Sequence, residues 1–223
     1  LDGDGLDDII ASSPGYNGSS SDHGAVWIVN GNSSLSWDSR VDDAAEAMIE
    51  GDSYDLDLGL DTLARPGDVD GDGDLDLGLS SESDGDVWLF LGVGALTGDY
   101  DLGDADHLLS GTAGDFGSML VLDSDLDGDG ADELTIGADG DDSGSTDGGS
   151  VFIYTYDSAW AAALDEDDAT LSIYGDTSGA YFGSGGAGGA DLDGDGRDDL
   201  AVGAASDDTV ATNGGAIWII PGW

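Results

Sequence analysis

At 223 residues, 39% of them hydrophobic and six of them Trp, the chain can bury one substantial core or a row of smaller stacked ones. Its formal charge of −47 comes from 50 acidic residues against three Arg and no Lys, so nucleic acid and anionic membrane are poor partners for most of its surface. Zero Cys excludes a disulfide framework and thiol chemistry, and no apolar run approaches the roughly 20 residues that span a bilayer.

Leu1 opens neither a basic n-region nor an apolar h-region, so the sequence is expected to be mature or internal rather than a signal peptide. The first unit then starts inside an acidic loop, Asp2-Gly3-Asp4-Gly5-Leu6-Asp7-Asp8, and runs through Ile9-Ile10-Ala11 to Ala25-Val26-Trp27-Ile28-Val29. An acidic connector follows, ending in the apolar run Ala47-Met48-Ile49. The second unit has Leu58-Gly59, the loop Asp68 to Asp76, Leu77-Gly78-Leu79 and Asp86-Val87-Trp88-Leu89-Phe90-Leu91, with a connector ending in His107-Leu108-Leu109.

The third unit reads Phe116-Gly117-Ser118, the run Met119 to Leu122, the loop Asp125 to Glu133, Leu134-Thr135-Ile136-Gly137-Ala138 and Ser150-Val151-Phe152-Ile153-Tyr154. Its connector holds the one helix-like stretch, Ala159 to Leu164, expected to make a turn or two of helix, and ends in Thr170-Leu171-Ser172-Ile173. The fourth repeats the order with Phe182-Gly183, the loop Asp191 to Asp199, Leu200 to Ala204 and Ala216 to Ile220. The string Asp-Gly-Asp-Gly thus begins at Asp2, Asp70, Asp127 and Asp193, 57 to 68 residues apart.

Each full unit supplies four short apolar runs bounded by Gly and Asp, the pattern of short strands joined by turns. Such units suggest an all-β chain of four-stranded antiparallel propeller blades, approximately at 1–51, 52–111, 112–175 and 176–223. The first blade lacks its inner strand and the fourth its outermost one, so flanking chain or a neighbouring subunit is expected to complete them.

The loops place carboxylates at positions 1, 3, 5 and 9. Calcium takes six to eight oxygens at about 2.3–2.6 Å, and alternate side chains on a tight turn can converge on one ion. An EF-hand would need a bidentate Glu at position 12 and flanking helices, whereas position 12 here is Leu79, Ile136 or Val202 in a strand-like run.

Phe-Gly at 116–117 and 182–183, followed by D-x-D-G-D-G-x-x-D and then Leu-x-x-Gly-Ala, resembles the FG-GAP repeat of the integrin α-subunit propeller and its bacterial relatives. The resemblance covers nearly the whole chain. It implies a β-propeller with calcium in the hairpin loops between the first and second strands of a blade. It also implies three complete ligand sets: Asp68, Asp70, Asp72, the carbonyl of Asp74 and Asp76; Asp125, Asp127, Asp129, the carbonyl of Ala131 and Glu133; Asp191, Asp193, Asp195, the carbonyl of Arg197 and Asp199. A fourth set, Asp2, Asp4, the carbonyl of Leu6 and Asp8, is partial, because its opening Asp would precede Leu1. Glu133 is one methylene longer than the usual Asp, so its site is expected to be looser or shifted but occupied.

Trp27, Trp88, Phe152 and Trp218 share one position in the third strand of their units and are expected to pack between blades, while Trp37, Trp160 and Trp223 break the register and are the better exposed contacts. His23 and His107 lie in polar segments and are expected at the surface. Asn17-Gly18-Ser19 and Asn32-Ser33-Ser34 match the glycosylation triplet, a pattern common by chance in Ser-rich sequence. Carboxylates are too numerous for any pair to indicate a glycosidase. The functional expectation is a calcium-stiffened, secreted or cell-surface module that binds a protein or glycan and is not an enzyme. A propeller lectin, or a part of a polysaccharide-degrading enzyme, is the alternative.

Overall fold

The computed structural model describes residues 1–18, 23–31, 41–51, 58, 64–81 and 84–223. Along the chain it forms β1 (Ile9–Ser13), β2 (Ala25–Val29), β3 (Ala47–Glu50), β4 (Leu77–Ser81), β5 (Asp86–Phe90), β6 (Gly98–Asp101), β7 (His107–Ser110) and β8 (Phe116–Val121). There follow β9 (Leu134–Ala138), β10 (Ser150–Tyr154), β11 (Ala163–Asp165), β12 (Leu171–Tyr174), β13 (Phe182–Ala190), β14 (Asp199–Ala204) and β15 (Ala216–Ile220). Among the described residues the sole α-helix is a single turn, α1 (Val41–Ala44). The molecule is all-β.

The strands make four sheets in the orders β1-β2-β3-β6, β4-β5-β7-β11, β8-β9-β10-β12 and β13-β14-β15. The third is the plain case, four antiparallel strands drawn from one sequence unit. In the first two the outer strand comes from the following connector and runs parallel: β6 beside β3 and β11 beside β7. The turn of helix expected at Ala159–Leu164 is therefore not formed. Four alanines favour a helix, but a segment of six residues is too short to sustain one alone. Extending the chain instead lets Leu108 donate to the Ala162 carbonyl at 2.9 Å and buries Leu164.

Glycines decide how closely consecutive sheets approach. Gly117 and Gly183 of the two Phe-Gly pairs have φ of 96° and 95°, in the region an L side chain resists, and the register of β8 on β9 and of β13 on β14 breaks at that point. A Cβ on Gly137 would lie 2.2 Å from the Gly183 carbonyl oxygen, so the third and fourth sheets meet backbone to backbone there. A second contact also recurs: Gly24 and Gly149, both at positive φ, form parallel bridges to Leu58 and Phe182, the first residues of the next unit. The carbonyls of Gly24, Gly85 and Gly149 accept from the N–H groups of Gly51, Gly111 and Gly175.

Among the described residues three apolar clusters fill the spaces within and between sheets, one around Val26, Leu58 and Trp88, one around Phe116, Ile136 and Phe152, and one around Val151, Phe182 and Val202. Trp27, Trp88 and Phe152 are buried as expected for the register position, but Trp218 on β15 is 51% exposed among the described residues. The histidines correct the surface expectation. His23 is fully buried, its Nε2 2.7 Å from Glu50 Oε1, and His107 is 8% exposed, its Nδ1 2.9 Å from the Ala161 carbonyl. Both sit beside sheet edges that bring a partner from distant sequence, which a local reading does not see. Trp160, expected as an exposed contact, packs on His107, Tyr154 and Tyr156, whereas Trp223 is 42% exposed. Trp37 and Asn32 lie outside the described residues; Asn17 is exposed and donates to the Gly15 carbonyl.

Candidate metal centres

Each acidic loop connects two strands of a sheet or enters one, and its fold is written in its own Asp and Gly residues. The position 1 carboxylate accepts from backbone N–H groups across the turn: Asp68 from Gly73, Asp125 from Gly128 and Gly130, Asp191 from Gly194 and Gly196, at 2.6 to 3.1 Å. Position 3 accepts from position 5, as Asp127 does from Asp129, and position 5 from position 7, as Asp129 does from Ala131. The two glycines of every loop sit at φ between 71° and 99°, which lets successive N–H groups turn toward the carboxylates.

The position 9 carboxylate is the deep anchor. Asp76, Glu133 and Asp199 are at most 3% exposed and accept from the position 2 N–H of Val69, Leu126 and Leu192 at 2.7, 2.6 and 2.7 Å. Burial pushes the Asp76 carboxyl up to about 6, and burial together with the charges of Asp127, Asp125 and Asp129 pushes Glu133 up to about 8. Burial, then Asp72 and Asp68, also raises Asp70. Backbone N–H groups from Gly194 and Gly196 instead lower Asp191, whose loop is open to water.

Three carboxylate triads converge, with oxygens within 4.8 Å of one another: Asp68, Asp70 and Asp76; Asp125, Asp127 and Glu133; Asp191, Asp193 and Asp199. These are positions 1, 3 and 9 of the loops. The position 5 residues Asp72, Asp129 and Asp195 do not join the triads; each accepts from its position 7 N–H, and Asp195 also pairs with Arg197 at 3.2 Å. Among the described residues Asp2, Asp4 and Asp8 form no triad.

The donor set suits a hard cation, since every side-chain ligand is a carboxylate oxygen. Two of these oxygens, Asp68 Oδ1 and Glu133 Oε1, are buried with no hydrogen-bond partner among the described residues. Three carboxylates crowded together with buried, unsatisfied oxygens are costly unless a cation neutralises them. Calcium is a cation of this kind, and the three triads are the groups that could hold it.

One feature was not legible at the level of single loops. Position 8 reaches back to the previous loop: Asp132 Oδ2 accepts from the Asp68 N–H at 2.9 Å while the Asp132 N–H donates to the Asp68 carbonyl at 2.8 Å. Asp198 and Asp125 repeat the pair at 3.3 and 3.0 Å. Burial, then Asp123, Asp198 and Asp68, pushes the Asp132 carboxyl up to about 6, and Arg65 lies 2.8 Å from Asp123 at the same seam. The signal available in sequence is that position 8 is Asp in loops one, three and four but Leu75 in the second.

Residues 182–220, which hold β13, the fourth loop, β14 and β15, match the FG-GAP repeat family. No curated protein matches the chain.

Proposed function

We propose, for a chain whose last sheet carries an FG-GAP repeat, that it is a calcium-stiffened propeller segment of a secreted or cell-surface protein, serving adhesion, protein binding or matrix assembly rather than catalysis. The observation that supports this most directly is the seam of loops. Asp68 and Asp125 each belong to one triad and are bonded to the next loop through position 8, so an ion ordering one loop also fixes the edge of its neighbour. Binding energy is thereby spent on holding sheets in register, as a scaffold for a ligand-binding face requires. The scarce cations fit this reading, since Arg65 and Arg197 are committed to Asp123 and Asp195.

Calcium about tenfold above its Kd stabilises by roughly 1.4 kcal/mol per site, so three loops together contribute about 4 kcal/mol, a large part of ordinary domain stability. Metal-stripped protein is expected to melt many degrees below the same protein in millimolar calcium, with calorimetry counting the ions. Equal melting temperatures in the two conditions would rule the reading out.

A further inference from the structure

The third loop departs from the others at two places, position 9 and the residue two beyond the third strand. In the first, second and fourth units the residue two beyond the third strand is glycine: Gly31, Gly92 and Gly222. Its N–H donates to the second oxygen of the position 9 carboxylate, at 2.7 Å to Asp8 Oδ1, 2.8 Å to Asp76 Oδ1 and 3.0 Å to Asp199 Oδ1. With the position 2 N–H on the other oxygen, both oxygens of these aspartates are committed to backbone.

The glycine is needed for that approach. A Cβ at Gly31 would stand 2.5 Å from the Asp7 carbonyl oxygen and one at Gly222 2.6 Å from that of Asp198, while Gly92 sits at a φ of 59°. In the third unit the equivalent residue is Tyr156, whose ring packs against Trp160 and His107 at centroid distances of 5.2 and 6.0 Å. Position 9 there is Glu133. Its extra methylene still brings Oε2 to the Leu126 N–H at 2.6 Å, but Oε1 is left buried with no partner, on a residue only 1% exposed.

We propose that the third loop closes on its ion with both carboxylate oxygens of Glu133, the second of them free where the other loops engage it from a glycine N–H, and is therefore the tightest and most calcium-selective of the three complete loops. The inference rests on the calcium reading above. A bidentate carboxylate adds an oxygen that calcium, with six to eight ligands, accommodates and that magnesium, held to a compact octahedron, does not. It also satisfies a buried oxygen that the fold leaves without a partner among the described residues.

The test is calorimetric titration of metal-stripped chain with calcium, alone and against millimolar magnesium, with circular dichroism to confirm folding. The unaltered chain should show one class of site about tenfold tighter than the rest and the least displaced by magnesium. Asp127→Asn should abolish that class, Glu133→Gln should weaken it about tenfold, and Asp70→Asn or Asp193→Asn should abolish only weaker ones. Glu133→Asp combined with Tyr156→Gly should merge it with the others. Equal affinities in the unaltered chain, or loss of a weaker class in Asp127→Asn, would overturn the inference while leaving calcium binding intact. No calcium heat at any loop would instead overturn the calcium reading and this one with it. Should the double variant not fold, the unaltered chain and Asp127→Asn still decide.

Discussion

At the residue scale, two glycines with the same backbone conformation do different jobs. Gly149 and Gly194 have φ of 79° and 84°, but a Cβ on Gly149 would lie 2.0 Å from the Phe182 carbonyl oxygen whereas nothing stands within 4 Å of one on Gly194. Gly194→Ala should cost only the left-handed strain, about 1 kcal/mol. Gly149→Ala must also push apart two sheets and should cost at least about 3 kcal/mol, or prevent folding. Urea denaturation of the two variants in calcium separates the effects. Asp132 is a residue of a third kind, neither turn former nor member of a triad. Removing its bond to the Asp68 N–H in Asp132→Ala is expected to cost about 1–2 kcal/mol and to weaken calcium binding at the second loop, which this residue does not ligate.

At the scale of the element, the third strand of each unit shows how position in the stack overrides residue type. Trp88 and Phe152 are 7% and 2% exposed and Trp218 is 51% exposed, although the three occupy one register position. Phe152→Ala should therefore cost about 3–5 kcal/mol by the cavity it opens among Phe116, Tyr174 and the surrounding core, and Trp218→Ala less than about 1 kcal/mol. Similar losses for both, measured by urea denaturation, would contradict the burial difference. The loops are elements too, and their legibility was uneven. Alternating Asp and Gly announced the turn and the carboxylates at positions 1, 3 and 9. The exclusion of position 5 from the triads was hidden, because it depends on which N–H each carboxylate finds once the loop closes.

At the scale of the whole molecule, charge sets the pH response. Without metal, Asp76 at about 6 and Glu133 at about 8 hold protons more tightly in the folded chain than in the unfolded one, where they titrate at 3.8 and 4.5. A raised carboxyl means that the folded state binds the extra proton, so stability increases as pH falls from about 8 toward 5 and is lost as pH rises. The formal charge of −47 pushes the same way, since deprotonation adds to self-repulsion. Metal-stripped protein should thus melt higher at pH 5.5 than at pH 8, and higher again in 1 M salt, where the Debye length is about 3 Å. Saturating calcium, which requires the deprotonated carboxylates, should reverse the pH order. Thermal melts over that pH range with and without calcium check both signs.

By itself the sequence determined the repeat, the all-β class, the acidic loops and their hard-ion chemistry, because these follow from local rules: period, turn residues and the spacing of side chains along a few bonds. The Phe-Gly pairs and the Asp-Gly-Asp-Gly strings are readable without any partner. Tertiary structure alone decided what each local piece meets. It turned Ala163–Asp165 into a parallel edge strand, buried His23 and His107, exposed Trp218, tied Asp132 to Asp68 and left Glu133 Oε1 unpaired. Each of these depends on which residues become neighbours once the described sheets have stacked. Burial and hydrogen-bond satisfaction are properties of that stacking, and no window of sequence contains them.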